Sequence, residues 1–257
     1  MTAPLAAGVG FIVAIVASTL VWAVSIRRRD ASLADIWWGS GFVVLAWLYY
    51  VLFDGAGVRP TTVALLVTAW GTRLAVHIAS RHRGEDPRYR AMRDAHGPAF
   101  WWRSLFTVFW PQATLMWLVA LPLLLSARGG GPASIQPTDV IGLGLFALGF
   151  SFETIGDWQL ARFRRDPANR GRVLETGLWR YTRHPNYFGD ATLWWGLFLL
   201  TTAAPGAWLT VGSPLLMTVL LLRVSGVTLL EPRLTAAKPG YADYVRRTSP
   251  FIPWPPR

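Results

Sequence analysis

Seven times along this chain the sequence stays apolar for about the length that crosses a bilayer: near 6–26, 36–53, 60–80, 104–126, 138–161, 189–204 and 207–230. A spanning helix needs about 20 mostly apolar residues, because lipid offers no partner to an unpaired backbone N–H or C=O. The pattern predicts an all-α, polytopic integral membrane protein with about seven transmembrane helices. Pro205-Gly206 divides the last two runs and predicts a tight hairpin there. Only 15% of the residues are charged, against roughly 25% in a soluble domain, too few to coat a water-facing surface. The chain has no Cys, which removes thiolate chemistry, iron–sulfur clusters, Cys-ligated zinc and a disulfide scaffold. The first run opens Met1-Thr2-Ala3-Pro4 without a basic segment and is followed by Arg27–Arg29, so a cleaved signal peptide is not expected.

The net charge of +11 would suggest a nucleic-acid partner in a soluble protein, and its placement decides otherwise. With the N-terminus outside and the C-terminus cytoplasmic, 21 of the 25 basic residues fall on the inner segments 27–35, 81–103, 162–188 and the tail from 233. The outer turns hold Arg59 and Arg128, while Arg73 and Arg223 lie within the third and seventh spans. This is the positive-inside bias, it orients the chain in the inner membrane, and it explains the basic charge without nucleic acid. Trp37-Trp38, Tyr49-Tyr50, Trp101-Trp102 and Trp194-Trp195 fall where spans meet headgroups, as an aromatic belt requires. The whole chain, 1–257, reads as a single membrane domain, with no internal repeat or soluble module.

Ionisable groups in a span are costly and by default face a cavity or a partner. Asp35 opens the second span, Glu153 and Asp157 lie four apart on one face of the fifth, Asp190 starts the sixth and Glu231 ends the seventh. A pair such as Asp35 with Arg73 would neutralise charge. Carboxylates gathered in the cytoplasmic half instead predict a polar cavity. The densest polar stretch, Arg162 through Arg172 and then Trp179-Arg180-Tyr181-Thr182-Arg183-His184-Pro185-Asn186-Tyr187, mixes arginines with Asn, His and Tyr. Guanidinium forks suit phosphate oxygens, and the mixture of donors and acceptors suits an oriented polyanionic cofactor better than a lipid-facing loop. No GxGxxG follows a strand, so such a nucleotide would not sit on a Rossmann fold. His77, His82, His96 and His184 do not cluster at ligand spacing, and no metal is expected.

Arg180-Tyr181-Thr182-Arg183-His184-Pro185-Asn186-Tyr187-Phe188-Gly189-Asp190 resembles the signature of the membrane steroid 5-alpha-reductase family, particularly its bacterial DUF1295-like branch, filed as a domain of unknown function. Trp70-Gly71-Thr72-Arg73-Leu74, Glu85-Asp86-Pro87-Arg88-Tyr89 and the tail from Leu230-Glu231 through Pro239-Gly240-Tyr241-Ala242-Asp243-Tyr244 to Pro250-Phe251-Ile252-Pro253 fit the same superfamily, so the resemblance covers essentially the whole chain. The Arg-His-Pro-x-Tyr stretch also resembles isoprenylcysteine and phospholipid methyltransferases. The reductase resemblance implies a seven-helix fold in which helices one to four (about 6–126) enclose an apolar substrate and helices five to seven (about 138–257) bind NADPH. By position, Glu153, Asp157, Asn186 and Asp190 would meet its nicotinamide and ribose side. Arg162, Arg164, Arg172 and Arg223 would meet its phosphates, and Tyr181, His184, Tyr187 and Glu231 would complete the cofactor set. Asp35 stands at the family's catalytic carboxylate, and Trp70 near its catalytic tyrosine. Glu153 stands where the animal enzymes have an amide, and Glu231 where they have tyrosine.

The chemistry this implies is reduction of a C=C bond conjugated to a ketone, a 3-oxo-Δ4 steroid going to its 5-alpha-dihydro product. The protein would position the reactants and donate a hydrogen bond or proton to the enolate oxygen. Asp35 is the first candidate acid if its apolar setting keeps it protonated, and Arg73 the donor if the two pair. The rival reading is an S-adenosylmethionine-dependent membrane methyltransferase acting on a lipid or prenylated substrate, whose cofactor carries no phosphate and needs fewer arginines. A transporter would place its carboxylates at the midplane among broken, repeated helices, which the sequence does not have. Membrane lipids and an apolar small molecule are the expected partners, with a monomer favoured.

Overall fold

The computed structural model describes residues 1–55, 57–224, 231 and 234–256. It is all-helical, 78% helix, with no strand among the described residues. The helices are α1 Ala3–Arg28, α2 Leu33–Leu52, α3 Val58–Arg81, α4 Pro87–His96, α5 Phe100–Ser104, α6 Trp110–Val119, α7 Leu121–Arg128, α8 Pro137–Arg165, α9 Pro185–Thr201, α10 Gly212–Val219 and α11 Tyr241–Arg247. Local signals set several starts. Asp86 accepts from the Arg88 N–H ahead of α4, with Pro87 in the first helical position. Gln136 and Asp139 exchange side-chain and backbone bonds around Pro137 to open α8. Each device satisfies an N–H that the helix leaves unpaired, or places proline where no N–H is needed.

Four helices, α1, α2, α3 and α8, are long and apolar enough to cross a membrane. A fifth crossing is available if the helical stretches Pro87–Val119 and Leu121–Arg128, bent by 41°, count as one span. The sequence predicts one straight span at 104–126, and the structure breaks it. Pro122 cannot donate to the carbonyl four residues back, so the helix restarts at Leu121. Upstream, a wide π turn over Leu105–Phe109 precedes Pro111, where an ordinary turn would drive the proline ring into the Thr107 carbonyl. The sixth expected run becomes the 17-residue α9. The seventh is helical over Ala207–Arg223, and its last part, 225–230, lies outside the described residues.

Two compact units emerge. The first comprises Met1–Ser134 with Thr201–Ser213, the second Ile135–Leu200 with Pro214–Arg257. In the first, α2 and α3 approach closely where Gly39 meets Gly71: a Cβ on Gly39 would lie 2.5 Å from the Gly71 carbonyl oxygen. Against that crossing pack the fully buried Phe42 and Trp70, edge to face at 5.5 Å. The outward side of α1 carries Leu5, Ile12, Val16 and Leu20, all exposed and spaced to share one face, the surface a lipid-facing helix presents. In the second unit, α8 and α9 cross where Gly149 meets Gly189. A Cβ on Gly189 would lie 2.5 Å from the Glu153 backbone nitrogen and 3.0 Å from its Cβ. Small residues at such crossings let backbones touch, and here they seat α9 directly on the acidic face of α8.

Candidate functional site

In the first unit the polar chemistry gathers where the α1–α2 connection meets the α3–α4 connection. Glu85 accepts from the Ala31 N–H at 2.9 Å and binds Arg93 through both oxygens, at 2.7 and 2.9 Å. Ser32 Oγ accepts from the Asp86 N–H at 2.6 Å, and His82 Nε2 lies 2.6 Å from Asp30 Oδ2. Burial pushes the Glu85 carboxyl up, but the bonds from Arg93 and Ala31 outweigh it and hold it below the usual carboxylate range. This clasp fixes the start of α4 beside the start of α2.

Asp35 is therefore engaged from α4. Arg88 donates to its Oδ2 at 2.7 Å, and the Tyr89 hydroxyl donates to its Oδ1 at 2.6 Å. Both oxygens of Asp35 are engaged by the first turn of α4, and Arg73, the cation the sequence offered as a possible partner, lies half-buried on α3. Trp70 is a packing residue in the core of this unit, against Phe42. The single proton of the Tyr89 hydroxyl is directed to Asp35, which fixes the orientation of the phenol. Sequence reasoning missed Arg88 and Tyr89 as site residues. A readable signal existed in Asp86-Pro87, a helix start that puts the next two side chains in one turn.

In the second unit Glu153, Asp157 and Asp190 are buried, and Asn186 donates from Nδ2 to Asp157 Oδ1 at 3.1 Å. Four residues separate Glu153 from Asp157, and Arg164, eleven after Glu153, returns to the same face after about three turns of ~3.6 residues. Arg162 falls half a turn away, exposed, with its guanidinium 5.5 Å from the Trp158 ring centroid. Trp158 and Ile155 are exposed on that outer side. The helix thus sorts its arginines: Arg164 continues the acidic face, and Arg162 lies with the outward aromatic. Arg172 is exposed on the following loop, Tyr181 is exposed, and Arg223 is exposed at the end of the Ala207–Arg223 helix.

The signature stretch itself does structural work. Arg183 is buried and binds Glu231 through Nε at 2.7 Å and Nη2 at 3.1 Å. It also donates to the carbonyls of Val245, at 2.9 Å, and Thr248. His184 Nε2 lies 3.2 Å from the same Glu231 oxygen, and its ring stacks parallel on Tyr187 with centroids 5.3 Å apart. Arg183 N–H reaches Ser249 O, Thr182 Oγ1 reaches Phe251 O, and Trp254 N–H reaches Tyr181 O. Trp179 Nε1 donates to Gly156 O at 3.0 Å, and the Tyr244 hydroxyl donates to Trp179 O. The tail after α11 is in this way strapped over residues 181–183, and Tyr244 of α11 holds Trp179, which is tied to α8. Glu231, expected at the cofactor, has its oxygens engaged by Arg183 and His184. Burial raises its carboxyl, and the bonds with His184 and Arg183 outweigh that and hold it below the usual range. Nothing local in the sequence separates Arg183 from its neighbouring arginines, since its partners lie 48 to 65 residues away. No group of three His, Asp or Glu side chains that could hold a metal occurs among the described residues.

Residues 21–248 match the family described as "Protein of unknown function (DUF1295)". The chain is similar to "Uncharacterized protein C594.04c" of Schizosaccharomyces pombe, 26% identical over 225 residues, covering 76% of this chain and 64% of that one. It is also similar to "Probable O-methyltransferase ustE" of Ustilaginoidea virens, 31% identical over 80 residues, 31% of this chain and 28% of that one. The chain spans less than two thirds of the length of these curated relatives. No solved structure matches it.

Proposed function

The chain belongs to the DUF1295 family, and we propose that it is an NADPH-dependent membrane reductase acting on the C=C bond of an apolar enone, of which a 3-oxo-Δ4 steroid is the type. The observation that carries this reading is the face of α8 in the second unit. Asn186 from α9 binds the buried Asp157, Glu153 lies on the same face, Asp190 is buried on α9, and the face of α8 ends in the cation Arg164. Carboxylates and an amide suit ribose hydroxyls and a carboxamide, and guanidinium groups suit phosphates. That donor set fits a dinucleotide. When bound, the cofactor supplies a hydride. Arg164 and Arg172 would hold its phosphates, while Arg162, over Trp158, would meet headgroups.

A candidate acid lies within the first unit. The one O–H proton of Tyr89, donated to Asp35 in this structure, would have to turn from Asp35 to the carbonyl oxygen of the enone, leaving Arg88 as the partner of Asp35. Tyr89 would thereby take the role for which Trp70 has no phenolic proton. The proposed setting is seven spans in the inner membrane, N-terminus outside, C-terminus and cofactor site cytoplasmic, the protein a monomer. In detergent, NADPH should raise the melting temperature and S-adenosylmethionine should not, since a ligand stabilises the state it binds. The reverse result supports the second reading, a membrane methyltransferase, which the 80-residue likeness to a probable O-methyltransferase favours.

A further inference from the structure

The tail of the second unit turns large apolar side chains outward. Where it runs beside residues 181–183, Phe251 and Pro253 are half-buried, yet Ile252 is 63% exposed and Trp254 66%. Tyr181, whose carbonyl accepts from the Trp254 N–H, is 42% exposed. A single exposed apolar residue is ordinary. Three large ones on one short pairing of two segments make a surface, and Tyr and Trp suit a boundary that is apolar on one side and wet on the other. Arg180, next to Tyr181, is exposed as well.

The position of the tail along α8 identifies what covers that surface. Phe251 meets Phe188 edge to face with centroids 6.0 Å apart, and Phe188 meets Phe152 in the same way at 5.1 Å. The tail is therefore level with α8 around Phe152. The Trp179 indole bonds the Gly156 carbonyl just beyond it. α8 has 29 residues, about 43 Å at ~1.5 Å per residue, against a hydrocarbon core of roughly 30 Å. About 13 Å must then project. Arg162, Arg164 and Arg165 mark the end that does so, since guanidinium groups are costly in hydrocarbon. Counting about 20 residues from Pro137 puts the hydrocarbon edge near Trp158, itself exposed as an interfacial aromatic is. Phe152 stands six residues before Trp158, about 9 Å toward the hydrocarbon. Side chains exposed at that level face the boundary layer of the bilayer, not bulk water.

We infer that the tail is an interfacial anchor: Ile252 and Trp254 insert into the bilayer at the arginine-bearing end of α8, with Arg180 beside them for lipid phosphates. The bonds from Trp254 and Phe251 to Tyr181 and Thr182 pass that hold to the signature stretch. The inference requires that α8 spans the membrane and is independent of the reaction catalysed.

Because the chain has no Cys, one introduced thiol can carry a label in the full chain. Ile252→Cys and, beyond the arginines, the exposed Ala168→Cys are each given a small polarity-sensitive fluorophore. The host is a nanodisc of phosphatidylcholine and phosphatidylglycerol holding one chain. The label at 252 should emit at shorter wavelength and be quenched by lipid bearing a nitroxide near its headgroup, and the label at 168 by aqueous iodide. Equal iodide quenching at both positions, with no lipid quenching at 252, overturns the inference. A second measurement needs no label. Ile252→Ser combined with Trp254→Ser should raise amide exchange across 249–254 about tenfold or more, by withdrawing two apolar side chains from the bilayer, with α8 unchanged. Unchanged exchange in the tail overturns the anchor. So does a rise that reaches α8, which would make the two side chains supports of the fold. Protection that appears only with two chains per disc also overturns it and makes the surface a contact between copies.

Discussion

Tyr89 and Asp35 act as one unit, and their substitutions separate chemistry from binding. Tyr89→Phe removes the donor while keeping the ring that packs with Phe100 and Phe109. It should lower kcat for enone reduction by about 10²- to 10⁴-fold, the range for loss of a general acid, and leave the NADPH-induced thermal shift in place. Asp35→Asn should fall in the same direction through misorientation of the phenol. Near-normal turnover in both variants would remove this pair from the mechanism. The arginines of α8 divide likewise: Arg164→Ala should weaken NADPH, and Arg162→Ala should leave it unchanged. Glu231 makes a prediction in pH. Its folded carboxyl is held below its ordinary value by His184 and Arg183, so the unfolded chain binds the proton more readily. The stabilisation is complete above the ordinary carboxylate value and fades as pH falls through the lowered one. Melting temperature should decline between about pH 5 and pH 3, and Glu231→Gln should flatten that decline.

At the scale of elements, the α8–α9 crossing and the tail strap decide whether the site exists. Gly189→Ala on α9 puts a Cβ within 2.5 Å of two backbone atoms of α8, Gly149 O and Glu153 N, whereas a Cβ on Gly144 of α8 meets nothing within 4 Å. Gly189→Ala should destabilise by about 1–3 kcal/mol, the usual cost of overpacking, with Gly144→Ala near neutral; equal melting temperatures would contradict the close crossing. Arg183→Met leaves Glu231 and two carbonyls without their cation. The tail should then open to proteolysis around Arg246-Arg247 before the helices melt. The sequence makes the crossing partly legible, since glycines stand along the acidic face. The strap is not legible at all. Its bonds run from residues 181–183 to 249–254, and no local pattern encodes a pairing over that separation.

For the whole molecule, topology is directly measurable because the chain has no Cys. A cysteine placed at the exposed Thr2 should react with an impermeant maleimide in intact cells, and one at the exposed Thr176 only after permeabilisation. The opposite pattern would invert the orientation that the basic residues predict. The sequence by itself determined that the chain is helical and membrane-crossing. It also determined where charge concentrates and which carboxylates lie in apolar surroundings. These are local properties: lipid cannot satisfy a backbone group, so composition over one span suffices to read them. It left open whether Asp35 meets Arg73 and could not tell one arginine from another, and only the tertiary structure sets their partners. Arg88 and Tyr89 reach Asp35 because the clasp at Ser32, Glu85 and Asp86 brings two connections together. Arg183 goes to the tail, Arg162 to an outward tryptophan and Arg164 to the acidic face. Identical guanidinium groups differ only in the face of the helix and the partner they meet, and both are set by packing between segments far apart in the chain.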